Sequence, residues 1–483
     1  MDFEGFEPAP EMRAFLNVGF PWDQSTGVYV PGKDGEEIMN GGLMPFTGFA
    51  GGGNMYKSTM SHWLHLSVLA HYPEVKGMVY DTEPPSCSYK RFKQLMETID
   101  KDFTLEHLKT RLLLTDITKM LGGAWFAQMQ KFRDQKVANR KKMMLKTPML
   151  LDNGTQLEEL VPHVAEVDSL SMMSLDATMK LLEENELGDS GANIEAMRSQ
   201  GAKTQMLMQI PNMSTDANIF FIMTAHTGKT YQLDARTPQA KQMTFLKQDV
   251  KLKNVPEKFT FLPNNLYHSV GCSTLINKTT KAPEYPRSPE DDMKGDTDLM
   301  LITVINLRGK GGATGVPMEL IVSQSEGYRE DLTALRYLKS NEGFGLGGND
   351  KNYYLEFLPA VKLSRTTVRG KCLEDYKLRR ALQLTGELCQ MHNYWHDNRR
   401  AILLKPDEIF AKINALGFDW NELLETRGYW VFDGNKDPRN FLSTKDLLRM
   451  AHGTYVPKWY KKPLTPITVP TGGNELLAMM PGA

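Results

Sequence analysis

Cysteine is scarce in this chain: Cys87, Cys272, Cys372 and Cys389 stand far apart with no CxxC spacing, which argues against a zinc site and against a disulfide framework. A reducing, cytoplasmic setting is expected. Long apolar runs are missing too. No stretch reaches the roughly 18 apolar residues that would cross a bilayer, and the opening MDFEGFEPAP is acidic with no apolar signal core. A protein neither secreted nor embedded in a membrane is expected. There is no internal repeat and no excess of either charge: 57 Lys and Arg against 58 Asp and Glu leave a net charge of -1. That excludes bulk electrostatic attachment to nucleic acid of the polybasic-tail kind.

What is present is ordinary globular material. The 483 residues leave room for two or three domains, and 41% hydrophobic with 24% charged residues is typical folded usage. The 29 methionines read as core gap-fillers. Charge is unevenly placed, however. Residues 1–40 carry eight acids and two bases, while residues 360–483 carry 19 bases and 13 acids, an asymmetry that suits head-to-tail contact between copies.

Residues 1–40 read as a short N-terminal arm and candidate subunit contact, and residues 41–350 as the core. Residues 351–483 read as a basic, mainly helical C-terminal region, a candidate for duplex DNA or partner binding. The core opens with LMPFTGFAGGGNMYKST, then the helical pattern SHWLHLSVLAHY and the short strand GMVYDTE. Residues 105–146 are expected to be long helical material, followed by a polar hairpin at TPMLLDNGTQLEEL. VPHVAEVDSL and ANIFFIMTAH are strands separated by a helix around Ile194–Met208; LYHSVGCSTLIN, DLMLITVINLRGK and MELIVSQSEG add three more. This alternation predicts an α/β fold with a mostly parallel sheet flanked by helices.

Gly51, Gly52, Gly53, Asn54, Met55, Tyr56, Lys57, Ser58 and Thr59 form a near match to GxxxxGK[ST], with Tyr56 in place of the last glycine. Glycines let backbone N–H groups turn toward phosphates at a helix N-terminus, a lysine bridges the outer phosphates and a hydroxyl holds magnesium. The bland alternative is a glycine-rich turn before a helix. Asp168 ends a strand where a carboxylate can face Ser58 across a magnesium ion. Glu83 follows a strand end where it can orient attacking water, or is a solvated acid before two prolines. His226 closes IFFIMTAH on the same edge of the sheet, where a lone histidine is more often structural.

Together these residues resemble the RecA family of recombinases, in particular its phage UvsX type. The quoted pieces are GFAGGGNMYKST, YDTE, VDSLSMM with ELGDSGANIEAMRSQGAKTQ, TAHTGK and INLRGKGGATGVPMELIVSQSEG. They fall in the family's order over roughly residues 35–350, and the phage type also carries a bulky aromatic before the lysine. The resemblance implies a RecA-like core binding ATP and Mg2+. Lys57 and the Gly51–Tyr56 backbone would hold phosphates, Ser58 and Asp168 magnesium, and Glu83 the water. His226 would sense the terminal phosphate, and Arg308 and Lys310 would reach a neighbouring subunit's ATP. Nothing beyond residue 350 aligns.

Between Lys229 and Lys258 seven bases face three acids, interleaved with aromatics and polar residues, a composition suited to single-stranded DNA. Lys229, Arg236, Lys241, Lys247, Lys251 and Lys253 are the candidate contacts; an ordinary basic surface loop is the alternative. The implied function is ATP-dependent filament formation on single-stranded DNA and pairing with homologous duplex, with self-association and with single-strand-binding and mediator proteins as further partners. A DnaB-type ring helicase and a non-catalytic, ATP-clamped filament protein are the competing readings.

Overall fold

A computed structural model describes residues 10–83, 87–175, 190–230, 240–349 and 351–463, with the side chains of 190–199 and 397 left aside. In chain order, α1 (Trp22–Thr26) and the hairpin β1 (Val28–Pro31) and β2 (Glu37–Asn40) precede β3 (Phe46–Gly51), α2 (Lys57–His71) and β4 (Lys76–Asp81). Next come α3 (Tyr89–Met96), α4 (Leu105–Arg111), β5 (Leu112–Asp116), α5 (Gly122–Ala138) and the hairpin β6 (Met144–Leu150) and β7 (Gln156–Leu160). The remainder of the core is β8 (His163–Asp168), α6 (Ser190–Ala217), β9 (Ile219–Lys229), β10 (Val250–Leu252), β11 (Asn265–Thr274), β12 (Leu299–Gly309), β13 (Pro317–Ser323) and β14 (Gly327–Tyr328). After it lie α7 (Glu330–Ser340), a sheet of β15 (Leu346–Asn349), β16 (Asn352–Leu355) and β17 (Leu358–Leu363), and helices α8 (Val368–Glu374), α9 (Tyr376–Tyr394), α10 (Pro406–Ala415), α11 (Trp420–Leu423) and α12 (Thr444–Ala451).

The main sheet runs β14-β13-β12-β11-β3-β9-β8-β4-β5, with β10 attached to β9. Strands β11, β3, β9, β8, β4 and β5 are parallel, while β12 to β14 extend the sheet antiparallel. Near-continuous apolar strands such as IFFIMTA are what burial on both faces demands. Phe49, Val79, Val164 and Ile222 face one layer with α2; Ala50, Tyr80, Val167 and Met223 face the other with α5 and α6. The expected α/β architecture and the hairpin around Asn153 are present.

Several expectations need correction. Residues 105–146 are not helical throughout: LLLTD pairs with β4 as the sheet's edge strand β5, and its leucines, good helix formers locally, are claimed by the sheet. From Ala14 onward the N-terminal segment is not an outlying arm, because Ala14, Leu16, Val18, Phe20 and Trp22 are buried. Residue 350 falls between β15 and β16, which pair with each other, so the C-terminal region begins with a small sheet.

The opposite charges of the two ends also meet within one chain. Lys445 pairs with Glu37 at 3.0 Å, Lys458 with Asp34 at 2.9 Å, and Lys33 with Asp433. Part of that complementarity is thus met within the chain. Likewise Arg380 is buried on the Leu442 carbonyl and Gln383, and Lys377 pairs with Glu425 at 3.0 Å. Lys462 pairs with Asp419 and Glu422 while Tyr460 is buried. The basic residues at 377–380 and 458–462 thus have partners within the chain, with Lys458 and Lys462 exposed.

Candidate functional site: a phosphate loop at the carboxyl edge of the sheet

Strand β3 ends at Gly51 and α2 starts at Lys57, so Gly51–Tyr56 is the turn between them. The turn is built by unusual backbone: Asn54 has φ 57° and Tyr56 φ 55°. Tyr56 thus holds in the left-handed region the place where the motif has glycine, which explains why glycine is the motif's usual choice. A Cβ on Gly51 would lie 3.2 Å from Lys57 Cγ, whereas one on Gly53 would meet nothing within 4 Å. A side chain at Gly51 would crowd the Lys57 stem, whereas the exposed Gly53 leaves backbone accessible. Tyr56 puts no side-chain cap on α2, so the helix's first N–H groups are available to an anion.

Lys57 is buried, and its Nζ donates to the Gly52 carbonyl at 3.1 Å. Burial lowers its pKa, while the carboxylates of Asp168 and Glu83 draw it back up. Asp168, at the end of β8, is buried and hydrogen-bonded by the hydroxyls of Ser58 and Thr224. Burial pushes its carboxyl upward against those bonds and against the nearby His62. Two hydroxyls and a carboxylate are hard oxygen donors, a set suited to magnesium. Thr59 continues the first turn of α2.

Glu83 lies beyond β4, where its Oε1 meets His226 Nε2 at 2.7 Å and accepts from Ser169 Oγ at 3.3 Å. Its amide donates to Asp81 Oδ1 at 3.0 Å. Thr82 clasps β8: its amide donates to the Asp168 carbonyl and its hydroxyl to the Ser169 carbonyl, both at 2.7 Å. Lys57, Ser58, Glu83, Asp168 and His226 are thus gathered at the carboxyl ends of β3, β4, β8 and β9, the edge where such sheets bind ligands.

His226 does not close its strand. β9 continues to Lys229 and pairs with β10, Lys251 facing Gly228. The His226 amide donates to the Ser171 hydroxyl at 2.8 Å, and the His226 carbonyl accepts from the Lys253 amide at 2.8 Å. The base of the basic loop is therefore bonded directly to the residue touching Glu83. Lys229, Lys241, Lys247, Lys251 and Lys253 are exposed; Arg236 lies outside the described residues.

Arg308 and Lys310 are not in this cluster. Arg308 sits opposite Leu266, which pairs with Gly48, and Lys310 donates its amide to the Asn264 carbonyl, so both are level with the beginning of β3. Arg308 is further held by the Pro263 carbonyl at 3.0 Å. Thr224, Thr82 and Ser171 escaped the sequence reading; their one signal is a polar residue at the end of an otherwise apolar strand.

No protein-family model and no curated protein matches the chain. Among solved structures it is similar to a crystal structure of the RadB recombinase, with 15% identity and a TM-score of 0.31 over 60% of this chain and 93% of that one. The site is therefore defined by its own geometry.

Proposed function

We propose that the protein is an ATP-dependent DNA recombinase of the RecA type that assembles on single-stranded DNA and pairs it with homologous duplex. The observation that carries this reading is the convergence of Lys57, Ser58, Asp168, Glu83 and His226 on one sheet edge, with His226 bonded to both Glu83 and the foot of the basic loop. The glycine turn and the open N-terminus of α2 would receive the phosphates, and Lys57 the outermost ones. Ser58 and Asp168 would hold magnesium, which supplies charge neutralisation of the phosphates when bound. Glu83 would take a proton from attacking water. His226, held to Glu83 at 2.7 Å, would pass the nucleotide state to Lys253 and the loop. Arg308 and Lys310, at the far edge, would act only on a neighbouring copy's nucleotide.

The test is ATP hydrolysis with and without single-stranded DNA, together with electron microscopy of the complex. Stimulated hydrolysis and helical filaments are expected. Closed six-membered rings would favour the helicase reading, and ATP binding without hydrolysis the clamped filament. Replacing Lys241, Lys247 and Lys251 with Ala is expected to weaken single-strand binding and flatten its salt slope by about 2–3; an unchanged slope removes the loop from the DNA interface.

A further inference from the structure

Beneath the candidate site, α2 and β8 are joined by polar groups that the proposed reaction does not use. Glu166 is wholly buried, and each of its oxygens meets a different histidine of α2: Oε1 reaches His62 Nδ1 at 2.7 Å and Oε2 reaches His65 Nδ1 at 3.0 Å. Glu166 and Asp168 are two residues apart on a strand, so they project from the same face. Ala165 and Val167 occupy the opposite face with α5 and α6. The carboxylate that meets Ser58 and the one that meets the histidines therefore both point at α2.

The spacings match. From Ser58 to His62 the helix rises about 6 Å, and from Asp168 back to Glu166 the strand spans about 6.6 Å. The Ser58–Asp168 and His62–Glu166 links are successive rungs between a helix and the strand it runs back along. A slip of α2 by one residue would break both. Burial works against charge on either partner, yet their pairing holds His62 well above and Glu166 well below its usual pKa. An apolar pair would fill the same space at less cost in desolvation, and the best-attested reason to keep a buried ion pair is that it specifies register. The second nitrogen of His62 leads elsewhere: Nε2 lies 3.7 Å from Cys87 Sγ, and the Cys87 amide donates to Asp81 Oδ2 at 3.2 Å. Asp81 also receives the Glu83 amide.

We propose that Glu166, with His62 and His65, is a positioning residue of the nucleotide site that sets the register of the phosphate-loop helix on β8 and, through Cys87, ties that register to the segment carrying Glu83. This rests on the ATPase reading above. It predicts that the links matter for how Ser58 and Asp168 meet a shared cation, beyond any effect on folding.

The experiment uses the full chain and its Glu166→Gln variant, with His65→Gln as the milder substitution should Glu166→Gln not fold. Affinity for a fluorescent ADP is measured with and without Mg2+, and amide hydrogen exchange is followed in residues 57–66 and in β9. In the folded variant the Mg2+-dependent gain in affinity should shrink at least fivefold, and exchange in 57–66 should quicken at least tenfold with β9 unchanged. Wild-type Mg2+ dependence and exchange in the variant would overturn the proposal. Cys87→Ala should lower kcat without changing KM, and Cys87→Ser should restore it; an unaltered kcat in Cys87→Ala overturns the link to Glu83. If the wild-type protein binds no nucleotide, the ATPase reading fails by itself, and exchange in 57–66 alone then decides whether Glu166 sets the register.

Discussion

Two regions of this molecule bury charge, and they do so differently. Where α8 meets the antiparallel end of the sheet, Arg369 and Arg329 are each 1% exposed. Arg369 pairs with Asp298 at 2.7 Å and Glu326 at 2.8 Å, while Arg329 pairs with Asp331 at 2.6 Å and also with Glu326. Every guanidinium there has a carboxylate in direct contact. At the phosphate loop the buried Lys57 ammonium instead donates to a backbone carbonyl, and the buried Asp168 carboxylate takes hydroxyls. Closed ion pairs fasten one region; in the other, ammonium and carboxylate are held apart, as the proposed phosphate and magnesium roles would require.

Removing a partner from the closed network should have the largest effect. Arg369→Ala takes one of two guanidinium partners from the buried Asp298 and one of three from the half-buried Glu326, with Arg287 remaining beside both, and is expected to cost about 3 kcal/mol in denaturant unfolding. Lys57→Ala should lower ATP hydrolysis at least about a hundredfold, while stability changes by less than about 1 kcal/mol because the substitution also removes a burial cost. If the two variants lose stability equally, the contrast between the regions is broken.

A smaller effect is expected in pH dependence. His71, at the end of α2, stacks on Tyr429 with ring centres 3.9 Å apart and meets the Asn17 carbonyl at 3.0 Å. Burial pushes its pKa down to about 4. A depressed folded-state pKa adds stability above the unfolded value of about 6.5, lost as pH falls toward 4. Relative to His71→Gln, wild-type protein should therefore lose roughly 3 kcal/mol of stability as the pH falls from 7.5 to 4. A pH-independent difference would assign His71 to packing alone.

The same contrast explains what could be read from sequence. The placing of Lys57, Ser58 and Asp168 at the sheet's carboxyl edge was legible because a strand–loop–helix pattern puts polar residues at element ends, and His226 because it breaks an apolar run, although its strand continues to Lys229. Glu166 was not, since a lone acid inside VPHVAEVDSL gives no sign that His62 and His65 await it across the layer. The edge strand β5 was hidden in a leucine-rich stretch that favours helix locally, and the Arg369 network joins residues far apart in the chain. The charge asymmetry of the ends was legible, but whether it joins two copies or one depends on tertiary structure.

The smallest effects belong to Tyr56, where backbone and ring pull in opposite directions. Its φ of 55° costs a non-glycine residue roughly 1–2 kcal/mol, which Tyr56→Gly would relieve. The ring, however, is half-buried against the core layer beside α2, and a new glycine also gains freedom in the unfolded chain, worth about 0.5–1 kcal/mol. These terms nearly cancel, so Tyr56→Gly should shift unfolding by less than about 1 kcal/mol and keep nucleotide affinity. Tyr56→Val loses the ring and keeps the strain, in a conformation that β-branched residues tolerate least; it should be the less stable of the two by about 1–2 kcal/mol. Denaturant unfolding of the pair decides the matter: a valine variant as stable as the glycine variant would mean that the left-handed turn does not hold the loop in shape.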